Sequence, residues 1–229
     1  MSNLITTILL IRHADVHNPD DVVYGRLPRF GLSTIGHEEA ARTAAALAGE
    51  PLAALYSSPQ LRARQTAAAI TAAHPGLAVQ VSSRLAEVRT GWQGTTNEEM
   101  ARRQFNFYDP LHSPGDESLD DLLVRLLRWI SAMLVRYPGQ TVVGVSHGDP
   151  VMVGRLLFSA TPLTLAALRD RSRYPPKGSI TRLVFSGQGD PRRLPVTVSD
   201  SDPSAATRPS LDEDAAAPWA ARSYAEAQT

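Results

Sequence analysis

Arg12 and His13 follow directly on an aliphatic run in the segment ILLIRHADVHNP, residues 8–19, and a second histidine, His17, comes four positions after His13. A strand that ends in a guanidinium and an imidazole brings an anion-binding group and a nucleophile or proton carrier to one place. Two further stretches offer the same kind of group. Arg62 falls in the first turn or so of an expected helix after LYSSP, and His147 ends the run TVVGVS, with Gly148 next and a helix starting at Pro150. Two arginines, two histidines and helix N-termini at one sheet edge make a seat for a dianion such as phosphate. Each group alone also has a plain reading, as a strand end, a solvated helix charge or a turn. Their equivalent placement is what points to chemistry. The HxxxH spacing of His13 and His17 suits a metal only on a helix. Here the segment follows a strand and runs into Asn18-Pro19-Asp20-Asp21, so no metal is expected.

These groups need a scaffold. Residues 5–11 are apolar and β-branched without helical spacing, which predicts a buried strand. Residues 15–31 hold two prolines, two glycines and several aspartates and read as a loop. Ser33 is the expected N-cap of an alanine-rich helix that Gly49 and Pro51 stop. Residues 52–58 read as a strand, and Pro59 suits the first position of a helix that runs to about residue 74. Residues 77–83 alternate like a third strand. Residues 84–117 are irregular, with a helix expected over 96–106. Ser118 and Asp121 resemble a capping box for a helix whose Leu119, Leu122, Leu123, Leu126, Ile130 and Leu134 share one face. Residues 140–146 and 178–187 supply further strands. Strands that alternate with helices and read as nearly continuous apolar runs predict a three-layer α/β/α sandwich with a mostly parallel central sheet. In such a sheet ligands bind outside the carboxyl ends of the strands. A catalytic domain is expected over residues 1–190. The Ser-, Asp-, Pro- and Ala-rich segment 191–229 reads as a C-terminal extension, largely a solvated tail, with a short helix near 211–227 carrying Trp219 as the alternative.

The bulk numbers narrow the function. The chain has 229 residues, 43% of them hydrophobic and 20% charged, which fits a globular protein with a sizeable core. Lys+Arg and Asp+Glu are equal at 23 each, which argues against a nucleic-acid or anionic-lipid partner. The absence of cysteine excludes thiolate nucleophiles, disulfides and cysteine-ligated metal sites. No apolar run approaches the roughly 18 residues of a membrane span. The N-terminus MSNLITTILLIRH lacks the basic region and small-residue cleavage site of a signal peptide, so a cytoplasmic location is expected.

Six short motifs, in order over residues 8–185, resemble those of the histidine phosphatase superfamily, the phosphoglycerate mutase-like family. LIRHAD looks like the RHGE signature, LSTIGHEEA like LTxxGxxQA, and YSSPQLRARQTA like SSxLxRAxQTA. LAEVRTGWQG is similar to LxExxxGxWEG, PGDES to PGGES, and VSHG to the second histidine motif. The resemblance implies a phosphoglycerate mutase-like fold and a covalent phosphohistidine on His13. It implies that Arg12, Arg62, His147 and Gly148 hold the phosphoryl oxygens, and that Glu87 protonates the leaving alcohol and then activates water. Neither a cofactor nor a metal is implied. The family places substrate contacts near Asn18 and Arg26, with Arg29, Arg102, Arg103 and His112 as weaker candidates. His37 and His74 read as surface helix residues, and Trp92 and Trp129 as core. The chain departs from the family pattern at Ala14, which adds a methyl where the backbone approaches phosphate, and at Asp15, Asn18, Glu39 and Gln93.

The resemblance favours a phosphoric monoester hydrolase of the histidine acid phosphatase type acting on a small phosphorylated substrate. A phosphoglycerate-mutase-type phosphomutase is the alternative. It generally goes with a longer insertion than the 29 residues, 88–116, between Glu87 and Glu117. A third reading is a catalytically weak phospholigand-binding module.

Overall fold

The computed structural model describes residues 4–207. Ile8, Leu9, Leu10 and Ile11 are all fully buried, so strand β1 (Ile5–Arg12) is covered on both faces. Successive side chains point to opposite faces of a strand. Ile8 and Leu10 pack into one cluster, with Leu126 and Trp129 of α4 (Leu119–Arg136) and Val151 of α5 (Gly148–Phe158). Leu9 and Ile11 pack into another, with Ala44 and Leu47 of α1 (Thr34–Leu47) and Ala63, Ala67 and Ile70 of α2 (Leu61–Ala72). Each such burial contributes roughly 1.5–3 kcal/mol, so the cationic end of β1 hangs from a strand anchored on both sides.

The sheet has six strands in the order β3-β2-β4-β1-β5-β6, with β2 at Leu52–Ser57, β3 at Val79–Val81, β4 at Thr141–Ser146, β5 at Ile180–Ser186 and β6 at Val196–Ser201. The pairings among β3, β2, β4 and β1 are parallel, and those of β1 with β5 and β5 with β6 are antiparallel. Register does the positioning. Arg12 lies opposite Ser146 in the β1–β4 ladder, and Ser57 lies opposite Val145 in the β2–β4 ladder. The residues just past these strands, His13, Ser58 and His147, therefore emerge side by side at one edge.

Local chemistry sets the helix ends. The Ser33 side chain accepts the Gly36 amide hydrogen at 2.9 Å, which caps α1. Ser118 and Asp121 close the capping box of α4, whose Leu122, Leu126, Ile130 and Leu134 are buried. Pro59 is not a helix position: Gln60 is the N-cap and α2 starts at Leu61. Helix α5 starts at Gly148, two residues before the expected Pro150, with His147 as N-cap. Pro150 sits in its first turn, where a missing N–H costs no hydrogen bond. The helix expected over 96–106 is α3 (Asn97–Arg102), capped by Thr96 and ended by positive φ angles at Gln104 (54°) and Phe105 (52°). A short α6 (Leu165–Leu168), capped by Thr164, was not legible in the sequence.

The largest difference lies in the C-terminal extension. Residues 196–201, within the segment whose composition reads as a solvated tail, form edge strand β6. Only Val196 and Val198 of this strand pack on the core, while the residues between and after them face water. A one-faced edge strand needs no more apolar content than that. The helix expected near 211–227 and Trp219 lie outside the described residues. Among those residues, no helix is long and apolar enough to cross a membrane.

Gly36 ties the scaffold to the site. A Cβ at this position would stand 2.0 Å from the Asp15 carbonyl oxygen, in the loop that follows His13. Gly36→Ala is expected to force α1 off that loop and to cost about 1–3 kcal/mol, read by chemical denaturation. An unchanged midpoint would contradict the close approach.

Candidate active site

Strand β1 delivers His13 to a buried position, 1% exposed, where its amide donates to the Ser146 carbonyl at 2.9 Å. Its Nδ1 lies 2.7 Å from the Ala14 carbonyl oxygen. That oxygen only accepts, so Nδ1 carries the proton and Nε2 keeps a lone pair. Nε2 accepts from Nε of Arg62 at 3.1 Å. Burial first, then the charges of Arg62 and Arg12, hold the His13 pKa well below the ordinary imidazole value. His13 is therefore a neutral imidazole with its outer nitrogen unprotonated.

His147 is set up in the opposite tautomer. Its Nδ1 accepts from Nη2 of Arg62 at 3.0 Å. The proton is then on Nε2, which donates to Ser58 Oγ at 2.6 Å, with Gln60 Oε1 at 3.1 Å. Burial, followed by Arg62, depresses this histidine as well. The two rings are 5.1 Å apart, centroid to centroid. Glu87 joins them: its Oε2 is 3.5 Å from His147 Nδ1 and 3.9 Å from Arg62 Nη2, and its Oε1 accepts the Val88 amide hydrogen at 2.9 Å. Burial, and then the negative charge of Asp149, push the Glu87 carboxyl up to about 7, against the pull of Arg62.

Arg62 is fully buried, its Nη2 also donates to the Gly25 carbonyl at 2.8 Å, and its guanidinium lies 4.5 Å over the Tyr24 ring. Arg12 donates from Nη1 to the Pro175 carbonyl at 2.7 Å and stands 5.1 Å from the Tyr174 ring. Among the described residues, buried Nη1 of Arg62 and buried Nε of Arg12 have no hydrogen-bond partner. Buried cationic N–H groups left over in this way call for an anion with several acceptor oxygens. A cavity of about 620 Å³ adjoins this edge through Arg12 and Glu87, with Tyr24, Asp149, Tyr174 and Lys177 also in its wall.

His13, Glu87 and His147 also bring potential ligand atoms within 4.8 Å of one another. Arg62 already donates to the free lone pair of each imidazole, and a cation would have to displace one guanidinium and sit beside a second. The set suits an oxyanion rather than a metal. His17 is exposed and takes no part in it.

The other sequence-predicted residues divide. Asn18 lines the cavity, but its side chain staples the loop, donating to the Val22 carbonyl at 2.9 Å and accepting the Val22 amide hydrogen at 3.2 Å. Arg26 is turned into a structural network, 2.8 Å from Glu117 and 2.7 Å from the Glu87 carbonyl, with Arg125 on the far side of Glu117. Arg102 and Arg103 pair with Glu98 and Glu99 on α3, and Arg29 and His37 are exposed. His112 stacks on Trp92 at 3.9 Å, with Arg103 on the same indole. His74 bridges the carbonyls of Ile70 and Leu47, and Trp129 is core. The Ala14 methyl packs with Leu32 and Ala40, and its amide donates to Thr66 Oγ1 at 3.1 Å. Glu39 is buried and accepts the Asp15 amide hydrogen at 2.7 Å, while the Asp15 carboxylate pairs with Lys177 and Ser33. Gly148 has no room for a side chain: a Cβ would be 2.1 Å from the Tyr174 hydroxyl. Sequence reasoning missed Ser58, Gln60, Tyr24, Tyr108, Asp149 and Tyr174. Ser58 and Gln60 stand inside the YSSPQLRARQTA stretch and could have been found there.

Comparison with known proteins gives the same picture. The sequence profile of the histidine phosphatase superfamily (branch 1) matches residues 8–194. The uncharacterized protein Rv0525 of Mycobacterium tuberculosis is 35% identical over 188 residues, covering 80% of this chain and 91% of that protein. Phosphoserine phosphatase 1 of Hydrogenobacter thermophilus is 33% identical over 153 residues, 63% of this chain and 72% of that one. Among solved structures, YhfR of Bacillus stearothermophilus superposes with a TM-score of 0.71 at 25% identity, over 85% of this chain and 96% of its own. A paired-histidine, arginine-rich edge on a mostly parallel sheet, together with these matches, makes the chain a member of the histidine phosphatase superfamily, branch 1.

Proposed function

We propose that the protein is a metal-independent phosphomonoesterase that works through a phosphohistidine on His13, with Glu87 as proton donor. One observation carries the proposal most: Arg62 donates to both imidazoles, while its Nη1 and Nε of Arg12, whose charges both act on His13, remain buried donors without a hydrogen-bond partner. In the first step the Nε2 lone pair of His13 attacks phosphorus in line and the ester P–O bond breaks. The leaving oxygen takes the proton of Glu87, and the Ala14 carbonyl holds the Nδ1 proton as the ring gains positive charge. The N–H groups of Arg62 pass from the imidazole nitrogens to the phosphoryl oxygens, where charge develops. In the second step Glu87, now ionised, takes a proton from water. The hydroxyl attacks phosphorus, the P–N bond breaks and its electron pair returns to Nε2, regenerating the starting enzyme.

The cavity, at about 620 Å³ and lined by Tyr24, Phe105, Phe107 and Tyr174, suits a phosphate ester with an organic body of metabolite size. The name of the relative phosphoserine phosphatase 1 is consistent with that class of substrate. A cytoplasmic setting completes the proposal and fits a chain without cysteine.

His13→Ala is expected to lower phosphate release from an aryl phosphate, measured without added metal, by about 10³-fold or more. Retention of most of the rate would mean that another group attacks phosphorus. Inability of the unaltered protein to release phosphate from any ester would leave a phospholigand-binding module. Faster isomerisation than hydrolysis of a phosphoglycerate would make it a mutase.

Glu87→Gln is expected to slow hydrolysis of alkyl phosphates by roughly 10²–10⁴-fold and of aryl phosphates far less, because a phenolate departs without a proton. Equal losses on both ester types would remove Glu87 from the donor role. For the unaltered enzyme, the sign of the pH dependence follows from a donor lifted to about 7 and a nucleophile held neutral. kcat/KM for alkyl esters should decline as pH rises through about 7, and a rise over that range would contradict the assignment.

A further inference from the structure

Two carboxyls, Glu87 and Asp149, face the same cavity. Asp149 is the second residue of α5 and is 8% exposed. Both of its oxygens are taken by phenols. The Tyr108 hydroxyl donates to Oδ2 at 2.5 Å, and the Tyr174 hydroxyl donates to Oδ1 at 2.6 Å. Three separate segments build this cage: the stretch between α3 and α4, the start of α5, and the stretch between α6 and β5. Gly148 makes the second bond possible, since any Cβ there would collide with the Tyr174 hydroxyl.

A carboxylate that accepts a phenol hydrogen bond on each oxygen is favoured in its ionised form, because a carboxylic acid needs one oxygen for its own proton. Burial first, and then Asp149, hold both phenols well above their ordinary range, so they stay donors. Glu87 has no such cage. Its carboxyl faces Arg62 from α2, Arg12 from β1, His147 at the N-cap of α5, Asp149 on α5, and the Tyr108 and Tyr174 rings. Arg26 and Arg125 reach only its backbone carbonyl, at 2.7 and 3.3 Å. Two acids in one site with such different surroundings take unequal shares of a proton.

Resting on the reading of Glu87 as proton donor, we propose that Asp149 is a positioning residue for that proton: held as a hydrogen-bond acceptor on both oxygens by Tyr108 and Tyr174, it keeps the single proton of the carboxyl pair on Glu87. No bond to Asp149 forms or breaks. The same repulsion makes Glu87 a stronger base once it has given up its proton, so it assists both half-reactions.

The test reads the Glu87 carboxyl directly, by carbon NMR titration of ¹³C-glutamate-labelled full-length protein without substrate, alongside pH profiles of kcat/KM for an alkyl and an aryl phosphate. Asp149→Asn should move the Glu87 midpoint down by about one pH unit or more. The alkaline limb for the alkyl ester should follow, with about a tenfold loss one unit above the original midpoint. The aryl ester, which needs no proton, should keep its profile. Tyr108→Phe, which removes one phenol donor and leaves Tyr174 on Arg12, should shift the midpoint in the same direction by less. A Glu87 midpoint unmoved in both variants would overturn the proposal. A midpoint that shifts in a protein hydrolysing no ester would support the carboxyl pairing and count against the hydrolase reading.

Discussion

One guanidinium organises the site. Arg62 is wholly buried, and its Nε and Nη2 each donate to an imidazole nitrogen, one on His13 and one on His147. This double donation fixes both tautomers at once. It leaves the unprotonated nitrogen of His13 and the protonated Nε2 of His147 in set directions, the latter tied to Ser58 and Gln60. A buried cation is costly to keep without compensation. Here the compensation is the Gly25 carbonyl, the face of Tyr24 and a more distant Glu87. Glu87 is itself pushed toward its neutral form, so the edge carries more positive charge than its residues alone can balance. Electrostatics of that sign are what a transferring phosphoryl group requires.

The fold exists to hold that guanidinium against two strand ends. Parallel register between β1 and β4 brings His13 and His147 level, and the β2–β4 ladder brings Ser58 to the same height. The loop after His13 is pinned three ways. Ala14 bonds to Thr66 one turn along α2 from Arg62, Asp15 bonds to Glu39 of α1, and Gly36 packs against the Asp15 backbone. The neutral charge balance of the whole chain is thus compatible with two arginines at the site whose buried donors are not all paired, because other acids are spent on other cations. Glu117 holds Arg26 and Arg125, and Asp15 holds Lys177.

What was legible in the sequence has a physical pattern. Strands covered on both faces leave continuous apolar runs, so β1, β2, β4 and the sandwich they imply could be read directly, and with them the strand ends that carry His13 and His147. Capped helices could be read as well, since Ser33 and Ser118 announce α1 and α4. Edge strand β6 could not, because a strand with one covered face needs only Val196 and Val198. Glu39 reads as an ordinary helix residue until the loop amide it accepts from is in place. Arg26 reads as a candidate substrate contact because its partner, Glu117, is distant in the chain. The Tyr108–Asp149–Tyr174 cage was invisible for the same reason: its members belong to three segments and share no periodicity.

In the proposed cycle phosphorus bonds covalently to Nε2 of His13 during turnover. The most direct test of that bond is mass spectrometry of the protein after a denaturing alkaline quench during hydrolysis of a phosphate ester, followed by mapping of the modified peptide. Phosphate on the peptide that contains residue 13, absent when substrate is omitted, is the expected result. Turnover with phosphate on a different residue, or with none bound to the protein under conditions that preserve phosphohistidine, would contradict it.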